Sequence, residues 1–187
     1  MIKKYQIILC EGDIHSIDFQ IYSILFSDKT ILPCGANSIL KIKEEKLKEK
    51  DDVCAITDRD LLTDDYIKKL REDKIFCLKV RAVENILVID CVMCLICQKE
   101  GIENYEKVIS NIKKTLFLKY GKKLNKEFKI EINENNILEF YNPKKVIDTV
   151  ALMLNMSKKE YIRVFFEILI ENDLLKEKVK KLILSEW

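Results

Sequence analysis

Through the first eighty residues short apolar runs alternate with segments of helical period. Gln6–Cys10, Thr30–Pro33, Val53–Thr57 and Ile75–Val80 are nearly continuously apolar, as expected of strands covered on both faces. Between them, Ser16 can cap a helix whose Ile17, Ile21, Ile24 and Leu25 recur at i, i+4, i+7 and i+8. Ser38 can open a second with Ile39, Ile42 and Leu47 on one side, and Asp64-Asp65 before Tyr66–Leu70 reads as the acidic start of a third. Strand and helix in alternation predict an α/β fold, a Rossmann-like, mostly parallel sheet flanked by helices. After Val80 the alternation stops. The periodicity then predicts helices over Ala82–Gln98, Tyr105–Lys119, Lys144–Asn155, Lys158–Asn172 and Leu174–Leu184, with Ser157 and Glu160 as a capping box. Phe128–Ile132 alternates like a strand, and Asn133–Asn136 and Asn142-Pro143 read as turns. The change of pattern divides the chain into an α/β part, residues 1–100, and a mainly helical C-terminal part, residues 101–187, with no flexible linker between them.

A length of 187 residues accommodates one ordinary domain and a modest appendage. With 48% hydrophobic and 34% charged residues but only four Gly and two Pro, the chain has enough apolar surface for a core, which excludes disordered and collagen-like classes. The longest apolar stretch, Ile86–Ile89 continuing through Cys91–Cys97, is broken by Asp90 and falls short of the roughly 20 residues that cross a bilayer. Met1–Tyr5 leads into a strand rather than a secretory signal, so a cytoplasmic protein without membrane contact is expected. The seven cysteines are odd in number, and Cys10, Cys34, Cys54 and Cys77 sit in or at the end of apolar runs where a thiol packs as a small hydrophobe. Cys91, Cys94 and Cys97 have metal-like spacing, but Val92, Met93, Leu95 and Ile96 between them favour a buried helix face.

The net charge of +2 is unevenly spread: residues 1–100 carry 16 basic and 18 acidic side chains, residues 101–187 carry 17 and 13. Lys113, Lys114, Lys119, Lys122, Lys123, Lys126 and Lys129 are interrupted by one acid, Glu127, and interleaved with Phe117, Tyr120 and Phe128. Such a stretch can contact phosphates, or form a plain solvated face.

The candidate chemistry lies where strands end. In an open α/β sheet the functional crevice is outside the carboxyl ends of the strands. There the sequence places Glu11-Gly12-Asp13 after the first strand, Asp58-Arg59-Asp60 after the third, and Glu84 shortly after the fourth. Carboxylates gathered at one edge repel each other, and a hard divalent cation relieves the repulsion. Mg²⁺ or Mn²⁺ suits oxygen ligands and would neutralise a phosphate.

Leu9-Cys10-Glu11-Gly12 and Thr57-Asp58-Arg59-Asp60 resemble the Glu-Gly and Asp-x-Asp hallmarks of the TOPRIM domain of topoisomerases, primases and OLD-type nucleases. Ser16–Tyr22, Leu32-Pro33-Cys34-Gly35 and Val83–Leu87 extend the likeness to TOPRIM proteins that accompany AAA/ABC-type ATPases in prokaryotic phage-defence loci. The resemblance implies a metal-dependent nuclease acting on DNA or RNA, with Glu11 as general acid/base or metal ligand and Asp58 and Asp60 holding the metal. Asp18 and Glu84 would be second-metal or outer carboxylates, and Arg59 and Lys79 would face phosphate, joined by Lys113, Lys114, Lys122 and Lys123 of the basic stretch. The sequence departs from the commonest nuclease spacing, Glu-Gly-x-x-Asp, its candidate acid being Asp13 or Asp18. Partners implied are nucleic acid, a separate ATPase and a second copy of the chain. His15, the sole histidine, is a candidate proton donor or an exposed turn residue. No phosphate-binding P-loop or dinucleotide glycine fingerprint occurs. Two other readings are a non-catalytic TOPRIM-like sensor docking on an ATPase, and a Rossmann-like enzyme of small phosphates.

Overall fold

The computed structural model describes residues 2–35, 50–60 and 62–184, the side chains of Lys3 and Leu184 aside. Four strands, β1 (Ile7–Cys10), β2 (Thr30–Pro33), β3 (Val53–Thr57) and β4 (Ile75–Cys77), form an all-parallel sheet in the order β2-β1-β3-β4. β1 and β3 end where their apolar runs meet Glu11 and Asp58. Helix α1 (Ile17–Leu25) starts as the Ser16 hydroxyl accepts the Phe19 N–H, and α2 (Asp64–Glu72) starts likewise on Thr63, with Asp64 and Asp65 in its first turn. The α/β fold expected from the alternation is therefore present, flanking helices included.

Strand alternation sorts the sheet side chains onto two faces. Leu9, Val53, Ala55, Ile75 and Cys77 pack with Leu70 of α2, while Ile8, Cys10, Cys54, Ile56 and Phe76 of the opposite parity are equally buried. β4 is shorter than the Ile75–Val80 run, although the Leu78 N–H still bonds the Thr57 carbonyl at 3.0 Å. The helix expected from Ser38 lies outside the described residues.

The chain divides into two compact units, Met1–Lys79 with Lys176–Trp187, and Val80–Leu175. The division falls at Val80, where the strand pattern stops. The second unit is helical: α3 (Val83–Ile86), α4 (Asp90–Lys99), α5 (Tyr105–Phe128), α6 (Ile137–Phe140), α7 (Pro143–Met153) and α8 (Lys158–Glu171), with α9 (Asp173–Leu184) beginning there and ending in the first unit.

Two expectations for this region are corrected. The single helix over Ala82–Gln98 is two, because Leu87, Val88 and Ile89 bond three residues back and Ile89 is extended. The Leu87 carbonyl is taken up by the Tyr161 hydroxyl at 2.8 Å. The helix expected to end at Lys119 runs on to Phe128, since Gly121 leaves room for the Phe117 ring: a Cβ at Gly121 would lie 2.5 Å from it. Phe128–Ile132 is consequently no strand. Lys129 turns left-handed at φ 55°, the Ile132 N–H folds back onto Asn125 Oδ1, and the Phe128 ring packs edge-on against Phe140.

Asn85 ties the second unit together. Fully buried, it accepts the Ala82 N–H at 3.1 Å and donates to the carbonyls of Leu138 and Tyr141 at 2.7 and 3.0 Å. Asn85→Ala strands these three backbone groups and should lower stability by about 2–3 kcal/mol, read as a drop in urea midpoint followed by circular dichroism. Burial also pushes the Cys10 and Cys54 thiols to about 12 and Cys97 to about 11, with the charges of Asp18, Cys34 and Glu11 adding to the Cys10 shift. Since only the thiolate alkylates, iodoacetamide at mildly basic pH should label the partly exposed Cys34, Cys91 and Cys94 well before Cys10, Cys54, Cys77 and Cys97, as peptide mass spectrometry would show.

Candidate functional site

β1 and β3 are neighbours, but the chain leaves β1 for β2 on one side and β3 for β4 on the other. The sheet therefore has its topological switch point between them, where the carboxyl ends of the two strands diverge into a crevice. The register that sets Ile7 against Val53 and Leu9 against Ala55 brings Glu11 level with Thr57. The Thr57 hydroxyl donates to Glu11 Oε1 at 2.7 Å, and Asp58 follows directly. Two acidic motifs 47 residues apart in the chain, Glu11 and Asp58, thus meet at one sheet edge.

The turn after β1 is built to bring α1 close. Gly12 has φ 83°, and a Cβ there would lie 2.4 Å from Ser16 Cβ. Ser16 Oγ donates to the Asp13 carbonyl at 2.8 Å, and the Asp13 carboxylate accepts the His15 N–H at 2.8 Å. The Gly35 N–H bonds the Gly12 carbonyl at 2.8 Å, which ties the loop after β2 to the same turn. These bonds place Asp18 in the first turn of α1, with Tyr22 one turn further on the same face.

Tyr22 is buried on α1. It is 1% exposed, and among the described residues its hydroxyl has no hydrogen-bond partner, an arrangement that costs about 1–3 kcal/mol. Burial drives its pKa well above the ordinary tyrosine value, and the charges of Asp18, Asp58, Cys10 and Glu11 push it the same way.

The other expected residues are placed differently. Asp60 is exposed in the left-handed region at φ 42°. Arg59 turns to Asp64 at the start of α2, Nη2 to Oδ1 2.8 Å, and is largely buried in doing so. Lys79 is half-buried just past β4 and engaged in an interaction of its own. Glu84 belongs to α3 of the second unit. Lys113 is corrected as a phosphate contact: it is buried, and Asp90 holds its ammonium at 2.8 and 3.1 Å. Lys114, Lys122 and Lys123 are exposed on α5. His15 is exposed in the turn.

Thr57 and Tyr22 escaped sequence reasoning about the site. Thr57 carried a signal, as the one polar residue closing an otherwise apolar run; Tyr22 carried only its position four residues after Asp18.

Among the described residues no three His, Cys, Asp or Glu side chains are already grouped as a metal cage. The donor set at the switch point is nonetheless hard oxygen, and Mg²⁺ commonly binds through one or two carboxylates while keeping waters and taking substrate oxygens. Among the described residues no helix is long and apolar enough to cross a membrane. Comparison with protein-family models, with curated proteins and with solved structures finds no match.

The turn depends on Gly12. Gly12→Ala should cost roughly 1–2 kcal/mol from the left-handed backbone alone, before any clash with Ser16, and should lower the melting temperature more than Gly101→Ala, where φ is also positive but the space is open.

Proposed function

We propose that the chain is a TOPRIM-type, metal-dependent phosphodiesterase acting on nucleic acid. The observation that carries this reading is the Thr57-to-Glu11 hydrogen bond at the switch point, which sets Glu11 beside Asp58 at the place where open α/β sheets bind their ligands. Glu11 and Asp58, with Asp18 behind them, offer oxygen ligands to Mg²⁺ or Mn²⁺. Such an ion, when bound, neutralises a phosphate and activates water for attack on phosphorus. Glu11, steadied by Thr57, serves as ligand or as the group that takes the proton of the attacking water. Asp60, exposed on the solvent side of the same loop, supplies a contact to a hydrated ion. Exposed Lys114, Lys122 and Lys123 supply contacts to the phosphate backbone. The same reading makes a separate AAA/ABC-type ATPase the partner and phage defence in the cytoplasm the setting.

A second reading is a non-catalytic sensor that keeps the fold and docks on an ATPase. It draws support from Asp60, which is exposed in a left-handed turn.

Purified protein should cleave plasmid DNA or structured RNA only with added Mg²⁺ or Mn²⁺. Glu11→Gln and Asp58→Asn should each lose about 10²–10⁴-fold of the rate while keeping the wild-type circular dichroism spectrum. Wild-type cleavage in EDTA, or undiminished cleavage by both variants, would overturn the phosphodiesterase; no cleavage alongside tight ATPase binding would favour the sensor. Lys122→Glu with Lys123→Glu should weaken nucleic-acid binding for all sequences and make it less salt-dependent, the salt slope falling by about one for each phosphate that is no longer neutralised.

A further inference from the structure

The three cysteines of α4 do not form the uniform buried face that their spacing suggests. Cys97 is fully buried, and burial pushes its thiol up to about 11, whereas Cys91 and Cys94 are half-buried thiols. Packing explains Cys97 and leaves Cys91-Val92-Met93-Cys94 as a C-x-x-C pair within reach of solvent. The place of the pair in the helix suits bond formation. Both residues lie in α4, three positions apart, and residues so spaced on a helix have Cα atoms about 5 Å apart, inside the roughly 4.4–6.8 Å that a disulfide spans. Their Cβ atoms, ~5–6 Å apart in a regular turn, must approach to about 4 Å. Cys91 is the second residue of α4, in the turn whose N–H groups a helix leaves without partners of its own, so the approach breaks little helix bonding. Cys94 also opens onto a hollow of about 300 Å³ that Asp90, Ser110, Lys113 and Asn135 help to line, which gives a small polar molecule access to its sulfur; Cys91 lies outside that lining.

We propose that Cys91 and Cys94 are a redox-active dithiol whose substrate class is the low-molecular-weight disulfide. The Cys94 thiolate attacks one sulfur of the disulfide in the hollow and expels the other half as a thiolate. The Cys91 thiolate then attacks Cys94 Sγ and expels the second half. One disulfide closes in the protein while one opens in the reagent: two electrons pass from protein to reagent, and the two protons of the protein thiols end on the two released thiols. Cys97, buried and held as a thiol, takes no part. The pair belongs to the helical unit, so neither the proposal nor its test depends on the chemistry at the sheet edge.

The test is equilibration of the full chain with glutathione and glutathione disulfide in varied ratio, followed by acid quench, alkylation in denaturant and mass spectrometry of the tryptic peptide Ala82–Lys99, which holds these three cysteines and no other. Oxidised wild type should give a peptide two hydrogens lighter that carries a single alkyl group, on Cys97, and dithiothreitol should restore all three alkylation sites. The folded protein should close at a disulfide-to-thiol ratio at least about tenfold lower than the same chain unfolded in urea, because the helix holds the two sulfurs together. Cys91→Ser should lose the closed form and retain one glutathione on Cys94; Cys94→Ser should lose the closed form as well, both with the wild-type circular dichroism spectrum. Three alkyl groups on wild type at the highest disulfide ratio, glutathione retained on Cys91 and Cys94 together, or an alkyl group on Cys91 or Cys94 in the lighter peptide would each overturn the proposal. Closure at the same ratio in folded and unfolded chain, or a folded Cys91→Ser protein that takes up no glutathione, would overturn it too.

Discussion

The parallel pairing of β1 with β3 is the constraint on which the site depends. Its register sets Ile7 against Val53, and with both strands running the same way their acidic ends arrive at one edge and on one level. A slip of one residue would turn the side chains of one strand to the opposite face and separate Glu11 from Thr57. The register is held by apolar burial on both sheet faces rather than by charge. Core packing therefore sets the geometry of a polar site that the core itself does not contain.

Around that edge, polar groups are engaged to different degrees. Ser16, Asp13 and the Gly12 carbonyl are consumed in shaping the turn, and Arg59 is drawn away to Asp64. Glu11 is half-satisfied by Thr57, which holds one carboxylate oxygen. Tyr22 Oη and Arg59 Nε are buried without a hydrogen-bond partner among the described residues.

In the helical unit several buried polar side chains are put to use. Asn85 closes three backbone bonds, Tyr161 rescues the carbonyl left by the break between α3 and α4, and Lys113 neutralises Asp90. The basic stretch is consequently divided: some of its lysines face solvent, whereas Lys113 belongs to the fold. The difference follows from helix phase, because Lys113 shares a face with Ile109, Ile112 and Leu116 and its long stem is buried with them. A count of lysines along the chain does not distinguish the two kinds.

Strand positions, the cap at Ser16, Thr30–Pro33 as a strand and the acidic start at Asp64 were legible because each depends on neighbours within one turn or one strand. The acidic motifs at strand ends were legible for the same reason, being boundaries of apolar runs. Less was legible where a distant side chain decides the local structure. The Phe117 ring over Gly121 carries α5 past the residue at which a helix would be expected to end, and Tyr161 makes the interruption at Leu87 tolerable. The amino-acid sequence by itself determined which segments are strands and helices and that carboxylates follow β1 and β3, since periodicity and capping are local. Only the tertiary structure decided that Glu11 meets Thr57 beside Asp58 while Arg59 and Lys113 are held by Asp64 and Asp90, because strand order, register and helix phase arise from burial summed over residues far apart in the chain.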